Sequence, residues 1–313
     1  MGRGAYIRKR LVLMVFVVFG VTIVIFGMVH FLPGDPAAIL LGDRGTQQNI
    51  ADLRQQLGLN KSLPEQYWQF VSGFVQGQMG TSLQFRQPVR DMVVSRLPIT
   101  VGLAVYAMAI AGVVTLTFGL LAAVNRGGIV DQLIRVVFLL VLTTPNFWFG
   151  ILLILVLSLG FKLFPVAGFG NTFQDHIWYL FLPSLTLGLQ FSAVLIRNLR
   201  SQVILTLRSD FVRTARAKGL LERAVLIQHV LRNALLSTVT IFGLQFGFLV
   251  GGTLVVETVF AIPGLGQLLF QSITSRDYPV VQAITVVTAI MVILVNLAVD
   301  LSYSLLDPRV TYE

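Results

Sequence analysis

The sequence predicts an all-α integral membrane protein: six transmembrane helices, an external region after the first, and a basic cytoplasmic loop between the fourth and fifth. Three observations predict it. Of the 313 residues 55% are hydrophobic and only 12% charged, against roughly 25% charged in soluble globular domains, and mean hydropathy is +0.81. So few charges cannot cover the water-facing surface of a chain this long. Six runs reach the ~20 mainly apolar residues that a helix needs to cross the hydrocarbon core. The basic residues cluster between alternate runs, as they do when one side of each loop pair faces the cytoplasm.

The first run, 11–32, follows Arg3, Arg8, Lys9 and Arg10. It exceeds the 7–15 residues of a signal-peptide core, and no small-x-small cleavage pattern follows. The chain instead continues Pro33-Gly34-Asp35-Pro36, so an uncleaved anchor is expected. Residues 33–99 alternate polar stretches with Leu53, Leu57, Leu59, Tyr67, Trp68, Phe70 and Phe74. That mixture predicts a small folded region rather than a linker. Two roles are open to it: a cap over the membrane part, or a docking surface for an external partner.

The second run is 100–124 and the third 133–161, interrupted by Pro145, Asn146 and Trp148. A proline frees a backbone carbonyl, which another helix or a cavity must satisfy, so this stretch serves packing or a pathway. The fourth, 180–199, is weaker and holds Pro183, Ser184 and Gln190. In the fifth, 235–256, Gln245 stands among Gly243, Gly247, Gly251 and Gly252. Small residues let helices approach closely, and a pathway role is the alternative. The sixth, 280–306, carries Asn296 and Asp300 near its end. Glu257, just past the fifth run, either faces an external partner or caps the structure. The candidate pathway residues are therefore Asn146, Gln245, Gly251, Gly252 and Glu257.

Six spans put both termini on one side. Segments 1–10, 125–132, 200–234 and 307–313, with the span ends Arg135 and Arg197, hold 15 of the 23 Lys and Arg. The positive-inside rule places that set, and both termini, in the cytoplasm. The same distribution accounts for the net charge of +9 without nucleic acid as a partner. The expected division is 1–99 (N-terminus, first span, external region), 100–306 (five-helix core) and 307–313 (tail).

The absence of cysteine excludes disulfides, Cys-ligated metals and thiol catalysis. His30, His176 and His229 lie far apart, and neither a metal site nor a catalytic residue is expected. No Gly-x4-Gly-Lys-Ser/Thr loop is present to cradle phosphates, so the chain itself should not hydrolyse ATP.

The loop 200–234 is the most informative stretch. It contains Asp210-Phe211-Val212-Arg213-Thr214-Ala215-Arg216-Ala217-Lys218-Gly219-Leu220-Leu221-Glu222 and then His229-Val230-Leu231-Arg232-Asn233. Val203, Leu207, Phe211 and Ala215 recur at helical spacing before Gly219, and Leu220, Ala224, Ile227 and Leu231 after it. Two short helices broken at the glycine are predicted, with Ala215 and Ala217 leaving room for a partner. Charge alone would favour a solvated loop beside anionic lipid; the periodic apolar face, the small residues and the glycine break point to a docking element.

This run resembles the coupling loop of permeases in binding-protein-dependent ABC importers. Gly219 stands on that motif's glycine, Ala215 on its second alanine and Leu231 on its later leucine. Arg213 occupies the usual Glu position, Thr214 the first alanine, His229 the Ile and Arg232 the Pro. The form is closest to the subclass importing dipeptides, oligopeptides, glutathione and nickel complexes. Other segments resemble that subclass in order along the chain: Leu32-Pro33-Gly34-Asp35-Pro36, Gln55-Gln56-Leu57-Gly58-Leu59, Pro263-Gly264-Leu265-Gly266 and Arg276-Asp277-Tyr278-Pro279.

The resemblance implies a type I importer permease fold in a bacterial inner membrane. It implies a second permease, two cytoplasmic ATPases that bind ATP and Mg, and an external or periplasmic substrate-binding protein. ATPase-coupling roles then fall on Asp210, Arg213, Thr214, Ala215, Arg216, Ala217, Lys218, Gly219, Leu220 and Glu222. The implied cargo is peptide, with a nickel or other metal chelate as the alternative. An ion-coupled secondary transporter would show inverted repeats and intramembrane ionisable residues, which are not evident.

Overall fold

The computed structural model describes residues 3–31, 46–56 and 58–306. The Leu32-Pro33-Gly34-Asp35-Pro36 run, Leu57 and the tail 307–313 lie outside the described residues, as do the side chains of His30, Leu53 and Asp300. Apart from an isolated bridge between Thr81 and Pro88, the regular structure among the described residues is helical. The chain forms two compact units, 1–97 with 268–291 and 98–267 with 292–313.

The first unit contains α1 (Arg3–Phe31), α2 (Gln47–Gln56) and α3 (Leu63–Val75). Helix α3 starts at Ser62, whose N–H donates to Glu65 Oε2 at 3.2 Å, with Pro64 in the first turn where its missing donor costs nothing. Tyr67 ties α3 to α1. Its hydroxyl lies 2.8 Å from Thr22 Oγ1, and its ring meets Phe19 and Phe26 edge-on. The folded region after the first run is thus held against the middle of that run. In the same unit the buried Asp277 carboxylate accepts from Ser82 Oγ and from the Leu83 and Gln84 amides at 3.1 and 3.2 Å. The Arg276-Asp277-Tyr278-Pro279 run therefore has a structural role, which is to hold the turn after residue 81.

The second unit takes most of α4 (Val89–Val124), then α5 (Ile129–Thr143) and α6 (Asn146–Leu153), which continues as a π-helical run Ile154–Gly160. Next come α7 (Phe173–Thr206), α8 (Asp210–Ala217), α9 (Glu222–Ala224), a π-helical run Val225–Leu231 and α10 (Arg232–Val259). Helices α11 (Leu265–Thr274) and α12 (Tyr278–Leu306) complete the chain. Helix α7 is the most buried of the spanning helices and packs on α5, α6 and α10. A helix shielded by protein rather than lipid can carry polar residues, and buried Ser184, Thr186 and Ser192 lie on it. The core beside it includes Leu103, Leu182, Leu187, Leu249 and Phe260.

Among the described residues, four helices are long and apolar enough to cross a bilayer: Val89–Val124, Phe173–Thr206, Glu222–Gly247 and Tyr278–Val299. A fifth is reached when α5 and α6 are taken together. The first run is helical, with Val12–Gly27 as its apolar part. The third run differs from the expected single helix, because α5 and α6 meet at 112°. Pro145 disfavours helical backbone in the residue before it, and Thr144 is extended at φ −83°, ψ 130°. The Thr144 carbonyl, which leaves the helical ladder there, accepts from Gln190 Nε2 of α7 at 2.7 Å.

Candidate functional site

The segment 207–234 folds as a compact helical knob with two distinct sides. Ser209 precedes α8 in extended backbone and donates its hydroxyl to the Thr206 carbonyl at 2.6 Å. Asp210 opens α8, where a carboxylate favours the helix N-terminus. The helix stops at Ala217, and Gly219 has φ +76°, left-handed backbone that glycine takes at little cost. The Gly219 amide donates to Arg216 O at 2.9 Å, closing the turn. Arg216 then reaches over the turn to Glu222. Its Nε and Nη2 lie 2.8 and 3.1 Å from the two carboxylate oxygens. Arg213 pairs with Asp210 at 3.6 Å.

The inner side of the knob is packed on the ends of the long helices. Val212 and Ala215 of α8 share a buried cluster with Ala123 of α4, Leu199 and Val203 of α7, and Val225, Val230 and Ala234. Of the residues expected at helical spacing, Val203 and Ala215 are buried in this cluster and Leu207 and Leu231 pack against it, whereas Phe211, Leu220 and Ile227 are exposed. Within Val225–Leu231 the wider π-helical turn, whose hydrogen bonds span five residues, lets Val225 and Val230 face the same way and leaves Ile227 exposed. Ala215 faces inward, so it does not leave room for a partner as expected, and Ala217 is the small residue on the outer side. The outer side presents Arg213, Thr214, Lys218, Leu220 and Leu221, the last 79% exposed. A hollow of about 510 Å³, lined by Phe211, Gln228, His229, Arg232, Asn233 and Leu236, lies beside α8. It brings part of the His229-to-Asn233 run to the same place as Phe211.

The pathway candidates divide. Gly252 of α10 faces Asn146 at the start of α6, whose amide nitrogen lies 3.8 Å from where a Gly252 side chain would begin. Gly251 opens onto free space, and Gln245 is half-buried on the same helix. Gly243 is crowded by Val299 of α12, and Gly247 by Asn296, so these two mark close helix approach.

Glu257 sits apart, fully buried at the end of α10. Its carboxylate accepts from Thr100 Oγ1 at 2.8 Å, from the Gly266 amide at 2.7 Å and from the Gln267 amide at 3.2 Å. Those amides begin α11, so Glu257 acts as a remote cap for that helix. Thr100 Oγ1 also accepts from the Leu265 amide at 2.8 Å. Gly264 and Gly266 leave no room for a side chain beside the carboxylate, which explains their place in Pro263-Gly264-Leu265-Gly266.

Sequence reasoning missed Asp131. This buried carboxylate takes a two-point grip from Arg200 of α7, at 2.6 and 2.7 Å, and a third bond from the Gly127 amide at 2.9 Å. The sequence signal was weak: one acid among several arginines near a span end, with its partner 69 residues away.

Residues 115–312 match the family described as binding-protein-dependent transport system inner membrane component. Residues 4–104 match the description of the N-terminal part of such membrane components. The glutathione transport system permease protein GsiC of Escherichia coli strain K12 is 42% identical over 308 residues, covering 98% of this chain and 99% of that one. GsiC of Shigella flexneri serotype 5b is 41% identical over the same length. Among solved structures, a chain of the MetNI methionine ABC transporter in inward-facing conformations superposes with a TM-score of 0.58 at 18% identity, covering 69% of this chain and 96% of that one. An amino acid ABC transporter with histidines gives 0.53 at 16% identity, covering 68% and 94%. At that identity the fold is what is shared.

Proposed function

The chain belongs to the binding-protein-dependent transport system inner membrane components, and from that membership we propose the role it plays within an ATP-driven importer. It is a permease subunit and forms half of the translocation pathway, with a second homologous permease forming the other half. Two cytoplasmic ABC ATPases bind ATP and Mg and supply the energy. An external binding protein delivers cargo. The cargo proposed is a short peptide, with glutathione first because the full-length relatives carry that name. Six spans with both termini cytoplasmic remain the proposed topology, the bent pair α5–α6 counting as one.

The observation that carries the coupling role is the two-sided knob. Its outer side offers Arg213, Thr214, Ala217, Lys218, Gly219 and Leu220 for an ATPase surface. Its inner side, through Val212 and Ala215, is packed on α4 and α7. A push on the outer side is therefore transmitted to two long helices as one packed body. Two nucleotide states of the ATPases would then bias two arrangements of the spans, which is what alternating access requires. Asp210, Arg216 and Glu222 are exposed beside the outer-side residues and join the coupling surface, Arg216 paired with Glu222 across the turn.

The test is ATP hydrolysis and uptake by the reconstituted complex with Leu221→Glu plus Ala217→Glu. Both positions are exposed, so the knob should fold. Loss of ATPase stimulation and of transport, with normal membrane insertion, is expected. Unchanged stimulation and uptake, or a chain that copurifies with no ATPase under gentle extraction, would remove the coupling role. Cargo is tested separately, by uptake of labelled glutathione against labelled dipeptide with the cognate binding protein present.

A further inference from the structure

Helices α5 and α7 run side by side, and a groove of about 270 Å³ opens between them. One end of the groove is cationic and the rest is apolar. Arg135 and Arg197 stand at the cationic end with Arg200. Arg200 is committed to Asp131, whose charge it meets at two points. Arg135 is 55% exposed and lies 3.5 Å from the same carboxylate. Arg197 is exposed and makes no ion pair among the described residues. Three arginines against one carboxylate leave two positive charges at the mouth.

Moving away from that end, the floor is Ile134, Phe138, Leu139, Leu142 and Ile196. From Arg135 to Leu142 the groove follows α5 for about 10 Å at 1.5 Å per residue. A free anion would use the guanidinium groups and ignore this floor. A hydrocarbon would use the floor and leave the charges idle. An amphiphile with an anionic head and an acyl tail uses both. Basic pockets between spanning helices on the cytoplasmic side have this recognition chemistry.

We propose that the α5–α7 groove binds one anionic phospholipid of the cytoplasmic leaflet, its phosphate on Arg135 and Arg197 and an acyl chain along Phe138, Leu139 and Leu142. The side of the membrane rests on the topology proposed above. The bound lipid would steady the Asp131–Arg200 contact between α5 and α7 by occupying the surplus charge beside it.

The purified complex, stripped of lipid in detergent, is titrated with phosphatidylglycerol and read by native mass spectrometry. Each arginine near a lipid surface contributes enough for roughly five-fold in affinity. Arg135→Gln plus Arg197→Gln should therefore raise the half-saturating lipid concentration about 25-fold and remove one bound equivalent per chain. Phosphatidylcholine should bind weakly to both forms, and inorganic phosphate should not displace the lipid. Equal lipid binding by the variant, or displacement by phosphate, would overturn the proposal. So would a Leu139→Cys chain that crosslinks to the second permease in membranes, which would make the groove a subunit contact. The same spectra report whether ATPase subunits are present, so loss of the importer reading and loss of the lipid site are seen independently.

Discussion

Glu257 shows how much a single side chain can carry. Replacing it with Ala would strand the Thr100 hydroxyl and the Gly266 and Gln267 amides in a buried place. Unsatisfied buried donors cost about 1–3 kcal/mol each, part of which water recovers, so a loss of about 2–4 kcal/mol is expected. The check is the thermal unfolding midpoint in detergent: it should fall clearly for Glu257→Ala and less for Glu257→Gln, which keeps an acceptor. An unshifted midpoint for Glu257→Ala would mean that the cap contributes nothing. Gly219 makes a contrasting case. Nothing lies within 4 Å of where its side chain would begin, so only its φ of +76° restricts it. Asn, which tolerates left-handed backbone, should preserve ATPase stimulation, whereas Pro, fixed near −65°, should abolish it. Equal behaviour of the two would remove the turn from the mechanism. The Arg216–Glu222 pair is different again. Its side chains are 45% and 71% exposed, so a double-mutant cycle on stability should give less than about 1 kcal/mol despite the good geometry.

Among the elements, the break between α5 and α6 is the one whose support can be tested directly. Gln190 reaches from α7 to the Thr144 carbonyl, and Gln190→Leu would leave that carbonyl without its donor. A loss of about 1–3 kcal/mol follows, measurable as a lower unfolding midpoint. If Gln190→Leu melts like the native chain, the 112° bend is held by packing alone. The elements also show where periodicity stops being legible. Gly219 was enough to expect a helix end, because a glycine after a basic amphipathic run marks one, but the second helix is not short: from Glu222 it runs on without a break into Arg232–Val259. Which residues face inward was legible only in part: Val203 and Ala215 do, and Phe211, Leu220 and Ile227 do not. A π-helical run from Val225 to Leu231 shifts the repeat from 3.6 towards five, and no residue in Val-Leu-Ile-Gln-His-Val-Leu announces it.

For the whole molecule, topology and assembly are the testable properties. The chain has no cysteine, so single cysteines report their own side of the membrane. Val75→Cys, 81% exposed on α3, should react with an impermeant maleimide from outside. Leu221→Cys, 79% exposed on the knob, should react only after the membrane is opened. Labelling of Leu221→Cys from outside would reverse the orientation, and labelling of both from one side would break the span count.

Residue order alone determined that the chain is helical, that most of it lives in a bilayer, and that a basic helix ends at Gly219. These are local or additive properties: transfer free energy per residue, helical period, and the backbone freedom of one glycine. Tertiary structure alone decided that Glu257 caps α11, that Gln190 satisfies the α5–α6 break, that Asp131 belongs to Arg200, and that Phe211 faces outward. The Gln190–Thr144 and Asp131–Arg200 pairs join groups 46 and 69 residues apart, and Thr100, which also donates to Glu257, lies 157 residues from it. A buried donor takes whichever acceptor the packed helices bring within about 3 Å, and that distance is settled by helix packing, not by any spacing along the chain.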